Sequence, residues 1–179
     1  MWGLTTRKIF ICQTIMLLTI VISYPAMAAC VAAIPPTTPN SQLVDNGNGT
    51  ITDTATELIW KKCSEGQTND ENCTGSATLV NWSQALQAAE TINSNDGFAE
   101  QTDWRLPNIK ELQSIVEVAC SVPTINSDRF PNTASSGFWS ASAHANYSAG
   151  AWAVDFSYGN SYSNYRYGSY PVRLVRGGQ

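Results

Sequence analysis

Residues 103–117 read DWRLPNIKELQSIVE, and this stretch constrains the fold more than any other part of the chain. It opens as an extended run. Pro107 ends that run and biases Leu106 away from helical geometry. Asn108 is a favourable helix N-cap, and Glu111, three residues on, completes a capping-box pattern. Beyond the cap, Ile109, Leu112, Ile115, Val116 and Ala119 fall on one face at helical spacing. Lys110, Glu111, Gln113, Ser114 and Glu117 fall on the other. The spacing predicts a short amphipathic helix pinned to an extended segment, with Trp104 anchoring one end. The apolar face is scaffold, and the stretch offers neither a nucleophile nor a metal site.

The beginning of the chain reads as an export signal. Arg7 and Lys8 precede an apolar run over residues 9–22, and Ala26, Met27 and Ala28 supply an A-x-A cleavage pattern. Residues 1–28 are therefore expected to be a signal peptide. The run is short for a bilayer span of roughly 20 apolar residues, which disfavours a membrane anchor. Cys30, after two alanines, also resembles a bacterial lipoprotein site, so a membrane tether through Cys30 stands as the alternative. Cleavage after Ala28 leaves eight basic against 14 acidic residues, a net charge of −6. That balance argues against nucleic acid as the main partner and gives no general attraction for sulfated or phosphorylated polymers. The expected location is periplasmic, cell-surface or secreted.

Four cysteines remain after the signal: Cys30, Cys63, Cys73 and Cys120. An even number in an exported chain points to disulfides, and four allow three pairings. Cys63 with Cys73 closes a short polar loop, which leaves Cys30 with Cys120 by default. A zinc site lacks a C-x-x-C pair, and His144 is the only histidine, so neither metal nor cofactor is expected.

Residues 29–41 are rich in Pro, Thr and Ala and read as an extended linker, with the domain proper over 42–179. Strands are expected at 43–45 and 50–53, joined by Asn46-Gly47-Asn48-Gly49, a hairpin signal. Asp45 and Asp53 around these glycines faintly resemble a calcium loop, but two ligand positions are glycine, so a turn is expected. A third strand over 58–61 places Trp60 in the core. Asn81 and Gln84 form a second capping box for a helix from Trp82 to about residue 93. Its inward face is Trp82, Ala85, Leu86, Ala89 and Ile92. Further strands are expected at 137–141, 151–156 and 171–175.

Residues 157–170 read SYGNSYSNYRYGSY, five tyrosines separated mostly by Ser, Asn and Gly. Tyrosine offers a large, rigid, amphipathic contact at low entropic cost, and Ser, Asn and Gly offer adaptable hydrogen bonding, the chemistry of a paratope. The other reading is a hairpin whose tyrosines cover the edge of the core. Composition leaves both open.

Taken in order, DNGNGTITDTATELIW, KKCSEGQ, DWRLPNIKELQSIVE, FWSAS, AWAVDF and VRLVRGGQ resemble the Lcl C-terminal domain family, named for the Legionella collagen-like adhesin. The resemblance covers about residues 43–179. It implies an exported domain, and the namesake domain binds sulfated glycosaminoglycans. The FWS, DF and VRLVR pattern is also similar to C-type-lectin-like domains of the formylglycine-generating-enzyme type. Residues 146–170 resemble the Tyr/Asn/Ser-rich variable tails that retroelements diversify in some related bacterial proteins. The implied fold is α+β and C-type-lectin-like, two short helices packed on small antiparallel sheets and hairpins. The EPN, QPD and WND motifs of calcium-dependent lectins are absent, so metal-mediated sugar binding is not implied.

The function expected is a non-catalytic binding module. Its contacts to a glycan or surface protein are Tyr147, Tyr158, Tyr162, Tyr165, Arg166 and Tyr167. An enzyme needs a nucleophile with a base in reach. Ser140, Ser142 and Asp155 lie near His144 in sequence but form no triad pattern, and formylglycine-type oxidation needs two reactive cysteines. A structural envelope protein with no small ligand is the remaining alternative. Oligomers are open, although no collagen-like or coiled-coil segment is present to drive one.

Overall fold

The computed structural model describes residues 29–177; the expected signal peptide, residues 1–28, lies outside the described residues. The chain begins with β1 (Ala29–Cys30), which pairs antiparallel with β5 (Cys120–Ser121). Cys30 stands opposite Cys120 in that register, and the two form a disulfide. The second disulfide is Cys63–Cys73. Both expected pairings are present.

The Asn-Gly turn sets the first large sheet. Gly47 and Gly49 hold φ of 73° and 82°, backbone geometry that a side chain resists. They join β2 (Leu43–Asp45) to β3 (Thr50–Asp53), and β4 (Leu58–Lys61) follows as a meander. The end of the chain returns as β9 (Val175–Arg176) beside β4, giving the order β2-β3-β4-β9. The closing strand is therefore shorter than the expected 171–175. Residues 171–174 thread the core, because the Arg173 guanidinium is fully buried and donates to the Lys61 and Lys62 carbonyls and the Thr133 hydroxyl. Burial pulls its pKa down to about 9, so it stays charged at neutral pH.

Helix α1 (Trp82–Ser94) starts at the Asn81–Gln84 capping box and buries Ala85 and Ala89. Helix α2 (Ile109–Ser114) starts at the Asn108–Glu111 box but ends well before Ala119. The reason is Glu117, which the helical pattern places on the solvent face. It is instead 2 % exposed. Its carboxylate accepts the N–H groups of Thr37, Thr38 and Ala119 at 3.0, 2.7 and 2.9 Å. The chain must turn to deliver that carboxylate inward. Ile115, Val116 and Ala119 are still buried, through a turn rather than a helix. The same contacts hold Thr37 and Thr38 of the 29–41 segment against the domain, and Thr38 is buried.

The second large sheet is β6 (Gly137–Ala143), β7 (Gly150–Asp155) and β8 (Asn160–Tyr165), all antiparallel, in that order. Apolar residues lie on both sides of it. On one side Phe138, Val154 and Phe156 join Leu43, Ile51, Trp60, Leu112 and Ile115. On the other, Trp139, Ala151 and Ala153 join Ala85, Ala89, Trp104 and Leu174. Helices and antiparallel sheets thus form a small α+β fold around two apolar clusters. Among the described residues no helix is long and apolar enough to cross a membrane.

Candidate recognition surface

Strand parity divides the tyrosines. Successive residues on β8 point to opposite faces. Tyr162 turns inward and packs against Tyr170, with ring centroids 6.2 Å apart. Tyr170 in turn meets Trp139 edge-on at 4.9 Å and accepts a hydrogen bond from the Asn164 amide. Room for the Tyr162 ring comes from Gly137, where a Cβ would collide with its hydroxyl. Burial, aided by the hydrogen bond with Tyr170, pushes the Tyr162 phenol above its ordinary range. Tyr162, expected among the ligand contacts, is half-buried and packs against Tyr170 rather than standing with the outward tyrosines.

Tyr165 turns outward and gathers two neighbours. Tyr167 stacks on it at 5.0 Å and 21°, and Tyr147 meets it edge-on at 5.5 Å and 74°. Tyr147, Tyr165 and Tyr167 are 38 %, 47 % and 76 % exposed. The phenols of Tyr147 and Tyr165 share a hydrogen bond, which pushes the Tyr147 pKa up to about 12. The rings fill one another's faces and form a ridge.

His144 and Trp152 extend this ridge, and the sequence reading did not include them in the surface. The imidazole lies flat on the indole at 5.0 Å and 23°, and its other neighbour is Tyr147 at 6.3 Å. Trp152 sits opposite Ser163 in the β7–β8 register, on the face that carries Tyr165. The alternation in AWAVDF was the available signal, but it required the β8 register to be meaningful. Arg166 has other work. Its guanidinium covers the Trp82 ring at 4.3 Å and its Nε donates to the Gly150 carbonyl at 3.1 Å. It clips the end of β8 to α1. Tyr158, at the turn between β7 and β8, stands at the far end of the strand from the ridge.

The hydroxyls near His144 in sequence are committed to the backbone. Ser140 Oγ donates to the Trp152 carbonyl at 2.7 Å, and Ser142 Oγ accepts the Ile109 N–H at 3.0 Å. Asp155 accepts the Ser157 N–H at 2.7 Å. His144 Nδ1 is buried without a partner. Among the described residues no three His, Cys, Asp or Glu side chains gather as a metal site.

A model of the Lcl C-terminal domain matches residues 49–176. The chain belongs to this family. The match runs from the β2–β3 turn to the last residue of β9, so it takes in both helices, the first large sheet apart from β2, the whole second large sheet and the tyrosine ridge. No curated protein matches the chain.

Proposed function

We propose that this member of the Lcl C-terminal domain family is an exported, non-catalytic recognition module, adhesin-like, that binds a glycan or a surface protein. The observation that carries the reading is the ridge of Tyr147, Tyr165 and Tyr167, exposed and held rigid by ring contacts on a packed sheet. Rings already immobilised lose little rotamer freedom on binding, so their apolar faces contribute more of their burial to affinity. The surrounding Ser and Asn residues supply hydrogen bonds to hydroxyls or to peptide groups.

A C-type-lectin-like arrangement is part of this proposal. What supports it is the closing strand β9 returning to pair with β4 of the first meander, with two short helices packed on small antiparallel sheets. The acidic balance favours a neutral or cationic ligand over a sulfated one. The Cys30 sulfur is bonded to Cys120, so the proposal places no lipid there. The commitment of Ser140 and Ser142 to backbone groups supports a module without nucleophilic chemistry.

The test is a glycan and surface-protein array probed with the disulfide-bonded protein and with a Tyr147→Ala, Tyr165→Ala, Tyr167→Ala variant. The expected result is binding by the parent that the variant loses at equal thermal stability. Binding by neither would give weight to a structural envelope role, and equal binding by both would place the ligand elsewhere.

A further inference from the structure

β8 is the last strand in the order β6-β7-β8, so one of its sides meets no further strand. The Arg166 N–H donates to the Ala149 carbonyl, which sets the parity of the ladder. Counting back through the register, Asn164, Tyr162 and Asn160 exchange bonds with β7, and Ser161 and Ser163 turn their N–H and C=O groups outward. Among the described residues no hydrogen bond caps those outward groups. Sheet edges are ordinarily blunted by Lys, Pro, a bulge or a covering loop. Residues 160–165 read NSYSNY, without charge or proline, and the β7–β8 pairing has no register shift. The opposite edge, β6, is covered: Trp139 and Ala141 donate to Pro171 and Pro107, and the Ser140 carbonyl accepts the Trp82 indole N–H.

The open edge is also symmetric. Residues 160–164, N-S-Y-S-N, form a palindrome about Tyr162. We propose that β8 is a self-association edge, through which two copies of this chain pair antiparallel about a twofold axis at Tyr162. In this register Ser161 of each copy faces Ser163 of the other, and each such pair exchanges both N–H···O bonds. The alternatives use the edge less well. A shift of two residues in one direction sets Ser161 against Tyr165, whose N–H and C=O are taken by Asn164 and Gly168. A shift in the other direction sets Ser163 against Gly159, whose N–H is taken by Asp155. The twofold register also places Asn160 against Asn164. It sets Tyr165 against Gly159, which has no side chain to obstruct the ring. An uncharged strip lets two copies of a chain with net charge −4 approach there. The contact is isologous and closes at two copies.

This pairing gives Tyr158 a role. It is 80 % exposed, at the opposite end of β8 from the ridge. Antiparallel association carries it toward the Tyr165–Tyr167 end of the second copy, uniting exposed tyrosines that one copy holds apart.

Sedimentation equilibrium of the disulfide-bonded protein, without ligand and from micromolar to millimolar concentration, tests the proposal. A reversible monomer–dimer equilibrium is expected. Ser163→Pro removes an outward N–H without touching the β7 ladder, once in each copy, and should weaken association by at least about tenfold. Where proline disturbs the fold, the double variant Ser161→Lys, Ser163→Lys repeats the test by setting like charges across the axis. Oxidising a mixture of Ser161→Cys and Ser163→Cys chains should yield a linked dimer that neither gives alone. A parent that stays monomeric overturns the proposal, whether or not an unrelated extended peptide protects the β8 amides. A dimer that survives both the proline and the lysine variants overturns it too. No ligand enters the measurement, so its failure leaves the recognition reading standing.

Discussion

Tyr162 and Tyr170 come from the same tyrosine-rich tail as Tyr165 and Tyr167, yet the two pairs do opposite things. The first pair packs against Trp139 behind the sheet; the second stacks in solvent with Tyr147 on its front. Their residue type is identical and their sequence neighbours are similar. What separates Tyr162 from Tyr165 is an odd offset along a strand of period two, and what separates Tyr167 from Tyr170 is the turn after it. Tyrosine richness is therefore not a measure of binding surface. Only the outward half of this tail presents its rings to solvent.

The comparison presumes a scaffold that holds both faces still, and the largest effect should come from breaking it. Arg173→Ala leaves buried carbonyl and hydroxyl acceptors unpaired and opens a cavity beside Phe130. A loss of roughly 3–5 kcal/mol is expected from the unpaired acceptors and the cavity together, read as a lower denaturation midpoint with ligand binding and fold lost together. Retained stability would mean that the guanidinium is dispensable to the core.

Next in size is the direct contrast. Tyr162→Ala should cost about 2–3 kcal/mol for a half-buried ring. Tyr165→Ala should stay within about 0.5 kcal/mol of the parent while abolishing ligand binding. Equal destabilisation by both would erase the distinction between the faces.

A smaller effect concerns acid. Desolvation raises the Glu117 pKa, but hydrogen bonds from Thr38, Thr37 and Ala119 outweigh it and hold the group below its ordinary 4.5. A carboxyl depressed in the fold contributes stability that is complete above the unfolded pKa and lost as pH falls through the folded one. Thermal stability should therefore be level above about pH 5 and fall below it. Glu117→Gln should be less stable at neutral pH, by about 1–3 kcal/mol, and lose less on acidification. An acid transition of unchanged depth in that variant would assign it to Asp45, Asp70, Asp103 or Glu111, whose carboxyls are also held low.

The smallest effect tests the ridge itself. Tyr165→Phe removes the hydrogen bond that raises the Tyr147 phenol to about 12, so Tyr147 should ionise closer to its ordinary pH in an ultraviolet titration. No movement would mean the two phenols are not bonded in solution.

Much of the local structure was legible. Both capping boxes, the Asn-Gly hairpin, the three strands from Leu43 to Lys61 and the two disulfides follow from neighbours within reach of one another in sequence or from simple pairing. The errors share a cause. Helix α2 stops early and Glu117 lies inside because one carboxylate meets the amides of Thr37 and Thr38, some 80 residues away. The closing strand shortens because Arg173 reaches carbonyls more than 100 residues distant. Neither partner leaves a mark on the periodicity of its own segment.

The sequence by itself determined where elements begin, because caps, glycine turns and prolines act through backbone groups within a few residues. It also determined that the tail would be rich in tyrosine and poor in charge, because that is composition alone. Which tyrosines form that surface was decided only by tertiary structure. A side chain on a strand belongs to whichever face its register assigns, and what covers each face comes from elsewhere in the chain: Tyr170 and Trp139 behind Tyr162, solvent in front of Tyr165.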